Sequence, residues 1–108
     1  MPVYMTQFKY THDAWVDLLK NPEDRSKPLK ALAEAVGGKL LGLYYCFGEY
    51  DGVALMDGPD DITEIAAILA VIAPGHVAAT NTTKLFTVDE LTEALNKARG
   101  FSYKAPKG

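Results

Sequence analysis

The stretch KLLGLYYCFGEYDGVALM, Lys39 to Met56, reads as two strands folded back on a tight turn. Lys39 to Phe47 and Tyr50 to Met56 are rich in aromatic and branched aliphatic residues, as half-buried strands are. Gly48-Glu49 suits a two-residue type II′ turn, which needs glycine at its first central position. That turn predicts the register: Phe47 opposite Tyr50, Cys46 opposite Asp51, Tyr45 opposite Gly52 and Tyr44 opposite Val53. A facing Phe47–Tyr50 pair would add roughly 0.5–1.5 kcal/mol beyond its buried area. Tyr45 is placed to cover Gly52, a residue that would otherwise weaken its strand.

Working outward, Pro2 to Tyr10 is expected to form a strand, followed by a helix capped at Thr11 with Trp15, Leu18 and Leu19 on one face. Asn21-Pro22 fits a fresh helix start, and Pro28 predicts a kink or a restart capped by Ser26. Leu29, Leu32, Ala33 and Val36 follow helical spacing up to the stop at Gly37-Gly38. Beyond the hairpin, Asp60 or Asp61 caps a second helix, and Asp61 with Glu64 has the spacing of a capping box. Ile62, Ile65, Leu69 and Ile72 form one face, while Ile68 and Val71 lie off it. A helix apolar nearly all round calls for cover on more than one side. His76 to Phe86 reads as the last strand. Thr87-Val88-Asp89-Glu90 is a capping box that opens a final helix ending near Gly100.

The order strand, helix, strand, strand, helix, strand, helix is the α+β, ferredoxin-like βαββαβ arrangement with an additional C-terminal helix. It predicts a single domain over residues 1–100, a four-stranded antiparallel sheet, and a mobile tail over 101–108. Helices on one side leave an open sheet face, and a homodimer through that face is the expected assembly.

Composition narrows the function classes. The 108 residues are 48% hydrophobic and 23% charged, within ordinary globular usage. The net charge of −3 argues against nucleic acid as a partner. Residues 40–83 hold six acids (Glu49, Asp51, Asp57, Asp60, Asp61, Glu64) and no Lys or Arg, a field that would favour a basic partner unless those acids serve turns and caps. No apolar run is long enough to cross a membrane, and no basic start with an apolar run reads as a secretory signal, so a cytoplasmic location is expected. The lone Cys46 excludes an internal disulfide framework. No phosphate loop, serine elbow or dinucleotide glycine pattern is present, and no metal or cofactor is expected.

Gly48-Glu49-Tyr50-Asp51 resembles the GYD-domain family. The likeness extends to Met1-Pro2-Val3-Tyr4, Lys9-Tyr10-Thr11, Gly37-Gly38-Lys39-Leu40, Pro59-Asp60-Asp61, and Gly75, Val77, Thr80, Thr82 and Phe86, covering residues 1 to about 87. The resemblance implies a bacterial, ferredoxin-like, dimeric α/β-barrel protein and no agreed activity. Gly52 departs from it, since the family more often carries a larger apolar residue there.

Candidate chemistry centres on few residues. In the predicted register Asp51 shares a face with Tyr44, Cys46, Val53 and Leu55; buried there, it would be a general acid or base. Exposed, or bonded to local backbone amides, it would be structural. His76 follows Pro74-Gly75 at a helix end, where an imidazolium is favoured and could line a pocket. Tyr4, Tyr45, Tyr50, Thr80 and Thr82 are the candidate ligand-binding residues, supplying hydroxyls. His12 reads as a first-turn helix residue, and Cys46, facing a carboxylate, as structural. Three functions remain open on this reading: a small organic ligand held between sheet and helices, a non-catalytic assembly module, and a cofactor-independent enzyme using Asp51 and His76. A sheet–helix pocket larger than about 300 Å³ would separate the first from the second.

Overall fold

A computed structural model describes residues 1–107. In chain order the elements are β1 (Val3–Tyr10), α1 (His12–Lys20), α2 (Ser26–Ala35), β2 (Lys39–Tyr45), β3 (Gly52–Asp57), α3 (Asp61–Ile72), β4 (Val77–Leu85) and α4 (Val88–Ala98). The strands form one antiparallel sheet in the order β2-β3-β1-β4, the ferredoxin-like arrangement. Residues 101–107 are exposed and have no regular secondary structure, and Gly108 lies outside the described residues.

The β2–β3 register is the expected one, with Tyr45 opposite Gly52 and Tyr44 opposite Val53. The turn is wider than two residues. Regular pairing stops at Tyr45 and Gly52, continued only by the Cys46 amide donating to the Asp51 carbonyl at 2.8 Å. Phe47 stands fully in solvent, so it gains nothing from burial against Tyr50. Gly48 has φ +134°, a conformation that favours glycine, so the glycine does mark the bend. Gly52 is covered from the other side: a Cβ there would collide with the Phe8 ring and lie 2.8 Å from the Tyr44 carbonyl oxygen.

The first crossover is two separate helices. The Thr11 hydroxyl caps α1 by accepting from the Ala14 amide at 3.1 Å, and α1 ends at Lys20. Asn21-Pro22 starts no helix. Ser26 is the first residue of α2 and not its cap; its amide donates to the Asp24 carboxylate at 2.9 Å. Pro28 then falls in the first turn, where the missing N–H costs nothing, so no kink follows. The helix closes as a Schellman motif: Gly38 N–H donates to the Ala33 carbonyl and Gly37 N–H to Glu34, with Gly37 at φ +84°.

Helix α3 departs most from expectation. Its cap is Asp60, whose carboxylate accepts from the Thr63 amide at 2.7 Å. Glu64 therefore lies one residue past the capping-box position, and about 100° of helical rotation carries it under the helix. Its side chain is buried, as is Ala67, with Ile68 and Val71 half-buried beside them. The aliphatic row Ile62, Ile65, Leu69 and Ile72 faces outward, Leu69 at 60% exposure. Periodicity shows two apolar faces here and cannot rank them. By contrast α4 opens on the full capping box, Thr87 N–H to the Glu90 carboxylate at 2.9 Å and Glu90 N–H to the Thr87 hydroxyl at 3.0 Å, and all its side chains are exposed.

Strand alternation gives the sheet two faces. Tyr4, Thr6, Phe8, Leu43, Ala54, Met56 and Thr80 point to the side carrying α2 and α3. Phe8, Tyr10 and Val77 form a small core there with Ala14, Leu18, Leu43 and Val71 packed on it. The opposite face presents Met5, Val53, Leu55 and Tyr44 without a helix packed over them.

Candidate functional site

Between the sheet and helices α2 and α3 lies a cavity of about 250 Å³. Its walls are mostly aliphatic and aromatic, including Phe8, Leu32, Leu43, Met56, Ala67 and Ile68. Small residues leave this room: Ala54 on β3 and Ala67 on α3 are both buried and both line it, and neither side chain is large enough to fill it. A cleft of about 310 Å³ adjoins it along α1 and the loop before α2, and Tyr10, Arg25 and His76 line both spaces.

Four polar groups matter at the inner wall. The Thr80 side chain lines it, and the Thr6 hydroxyl is paired with that of Thr82 at 2.9 Å across β1 and β4. His76 closes the end nearer the cleft, its ring 6.2 Å from that of Tyr10. Burial, and then the Arg25 guanidinium, lower its pKa and favour the neutral imidazole, which reverses the expectation of an imidazolium at this helix end. Glu64 is the fourth. It is only 5% exposed, makes no side-chain hydrogen bond among the described residues, and burial raises its pKa. The capping-box spacing concealed it; the signal that could have found it is that helical spacing puts Glu64 on one face with Ala67, Ile68 and Val71.

The structure does not bring the other sequence candidates to this cavity. Asp51 lines neither space. Its Oδ2 accepts from the Tyr10 amide at 2.9 Å and from the Trp15 indole N–H at 3.1 Å, and its own amide donates to the Phe8 carbonyl at 2.9 Å. The carboxylate thus continues the β1–β3 ladder where β3 runs out and ties α1 to it, rather than sharing a face with Tyr44 and Val53 as the extended register predicts. Asp51 and His76 flank Tyr10 and do not meet in one pocket. Tyr4 is buried and donates its hydroxyl to Asp61 Oδ1 at 2.6 Å; burial, then that bond, pushes its pKa up to about 12. The Tyr45 and Tyr10 hydroxyls share a 3.0 Å hydrogen bond, and burial, then that bond, raises Tyr10 above the usual phenol range. Tyr50 is half-buried at the hairpin, where its carbonyl accepts from the exposed Cys46 thiol at 3.3 Å. His12 is exposed beside Asp13. Among the described residues no three His, Cys, Asp or Glu side chains converge as metal ligands would. No helix among them is long and apolar enough to cross a membrane.

Burial of Glu64 has a measurable consequence. The folded protein holds its proton to higher pH than the unfolded chain, so this residue's contribution is fully present below its ordinary pKa and is lost as pH rises through the folded value. Glu64→Gln removes that loss. In urea unfolding, the variant should gain stability relative to the native chain as pH rises above about 4.5, the ordinary value for this carboxyl. A difference that stays flat with pH would show that the carboxyl is not held in an apolar site.

These features define a ferredoxin-like α+β domain with an apolar sheet–helix cavity lined by a nearly buried Glu64. The GYD domain matches residues 4–95, and the chain belongs to that family. The match reaches into α4, beyond the residues that carried the resemblance. Among functionally curated proteins none matches this chain significantly. Among solved structures, MtbAldR is similar at a TM-score of 0.53 and 11% identity, over 80% of this chain and 52% of that one. The chain thus spans about half the length of MtbAldR. A protein from Thermus thermophilus, TTHA0845, is similar at a TM-score of 0.49 and 17% identity, over 82% of this chain and 96% of that one. The MtbAldR likeness shows the fold alone.

Proposed function

We propose that this GYD-family protein binds a small, largely apolar organic molecule in the cavity between its sheet and α2 and α3. The observation that carries the reading is an apolar cavity of about 250 Å³ with a few polar groups on its wall, the composition ligand sites have. The volume lies just under the roughly 300 Å³ lower bound for drug-sized ligands, and the adjoining cleft adds to it at Tyr10, Arg25 and His76. A cavity of about 150 Å³ suffices for benzene, so a bicyclic aromatic is the natural size of probe. Calorimetric titration with naphthalene is expected to show saturable binding at one site per chain. Ala67→Phe, which grows into the space, should abolish it while the chain stays folded. Equal binding by both proteins would place the probe elsewhere and sink the reading.

A second reading, self-association, is supported by a separate observation. Met5, Val53, Leu55 and Tyr44 lie on a sheet face with no helix over it, a contiguous apolar surface of the kind that marks an interface. The assembly is a homodimer formed by two such faces, and it is compatible with ligand binding on the other side of the sheet. Light scattering at micromolar concentration should give twice the 11.8 kDa chain mass, and Leu55→Lys should return the monomer. A native chain that runs as a monomer would remove this reading.

A further inference from the structure

We propose that Glu64 is the recognition group of the cavity, and that the ligand is a small mono- or bicyclic apolar molecule bearing a hydrogen-bond donor, a hydroxyl or an amine, at one end. The inference rests on the ligand-binding reading above and adds the chemistry of the ligand.

Glu64 is 5% exposed, lines the cavity and makes no side-chain hydrogen bond among the described residues. Its oxygens still reach open space, whereas the fully enclosed unpartnered oxygen among the described residues is Asp57 Oδ1. A carboxyl on a nearly buried residue with no protein partner must be satisfied by whatever occupies the cavity, water or a ligand. The nearby hydroxyls are already engaged. Glu64 Oε2 sits where a Cβ on Gly58 would be 3.5 Å away, and the ring of Tyr4 borders the same glycine. The Tyr4 hydroxyl, however, donates to Asp61, and Asp61 is held in turn by Lys84 at 3.0 Å. The Thr6 hydroxyl is paired with Thr82. The basic group on the cavity wall, Arg25, is bonded to Glu23 at 2.7 Å.

The direction of the missing bond follows from the carboxyl itself. Ionised, it only accepts; protonated, it still accepts at its carbonyl oxygen and donates through one hydrogen. A donor on the ligand therefore suits both states, whereas an acceptor suits only one. The rest of the wall near Glu64, Ala54, Met56, Ala67 and Ile68, offers no polar partner, so one donor on an apolar body is the complementary shape.

Three probes of one size test this: naphthalene without a polar group, quinoline with an acceptor, and 2-naphthol with a donor. In the native chain 2-naphthol is expected to bind about tenfold tighter than naphthalene and tighter than quinoline. Glu64→Leu should bring 2-naphthol and naphthalene within about twofold of each other, with naphthalene binding retained. Glu64→Gln, which keeps an acceptor oxygen and serves if the leucine variant fails to fold, should keep at least a threefold preference. A 1-naphthylamine arm separates amine from hydroxyl as the preferred donor, and a preference for either supports the assignment. Equal affinities for naphthalene and both donors in the native chain, or tightest binding of quinoline, would overturn the role of Glu64 while leaving the cavity as a ligand site. Failure of every probe to bind would overturn both.

Discussion

Gly52→Leu should lower stability by about 3 kcal/mol in urea unfolding, with Gly52→Ala losing roughly half as much. Even the first carbon of a side chain has no room. It would collide with Phe8 Cζ and lie 2.8 Å from the Tyr44 carbonyl oxygen. The ring can swing, but the carbonyl belongs to the β2–β3 ladder and moves only with its strand. Phe8 is part of the small core with Tyr10 and Val77 and meets Tyr45 edge-on at 6.0 Å. Because Phe8 also lines the cavity, displacing it reshapes the binding site. In this chain the space over Gly52 is taken by the Phe8 ring from β1. An unchanged midpoint in Gly52→Leu would show that Phe8 has a second well-packed position.

Asp51→Ala is the other large loss, again about 3 kcal/mol, because two donors lose a charged acceptor at once. The Tyr10 amide belongs to a buried residue at the point where β1 shifts register against β4, so nothing on the strand can replace the carboxylate. Asp51→Asn keeps one acceptor oxygen and should cost about half as much. Circular dichroism followed through urea denaturation measures both. If Asp51→Ala unfolds at the native midpoint, the carboxylate has no structural duty and the question of a chemical one reopens.

What could be read from the residues alone was local. Thr11 and the Thr87–Glu90 box declare helix starts through bonds spanning three residues, and Gly48 marks the bend that sets the β2–β3 register. The failures were one residue wide or non-local. The residues leave the α3 cap open between Asp60 and Asp61, and the capping-box spacing from Asp61 gives Glu64 a local duty; with the cap at Asp60, Glu64 is instead a nearly buried side chain on the cavity wall. Asp51 looked idle because its partners, Tyr10 and Trp15, lie about forty residues away in sequence. The cover over Gly52 comes from β1, which no hairpin register contains. The cavity is lined by small residues on separate elements, Ala54 on β3 and Ala67 on α3, a combination that periodicity within either element does not record.

Helix α4 carries one more consequence. It has eleven residues, opens with a complete capping box, and buries none of its side chains. A helix of that length is marginal in water on its own, since nucleation is costly and most helical stability in proteins comes from packing an apolar face. Val88, Leu91 and Leu95 lie exposed on this one. Its helix–coil balance therefore depends on what covers those three side chains.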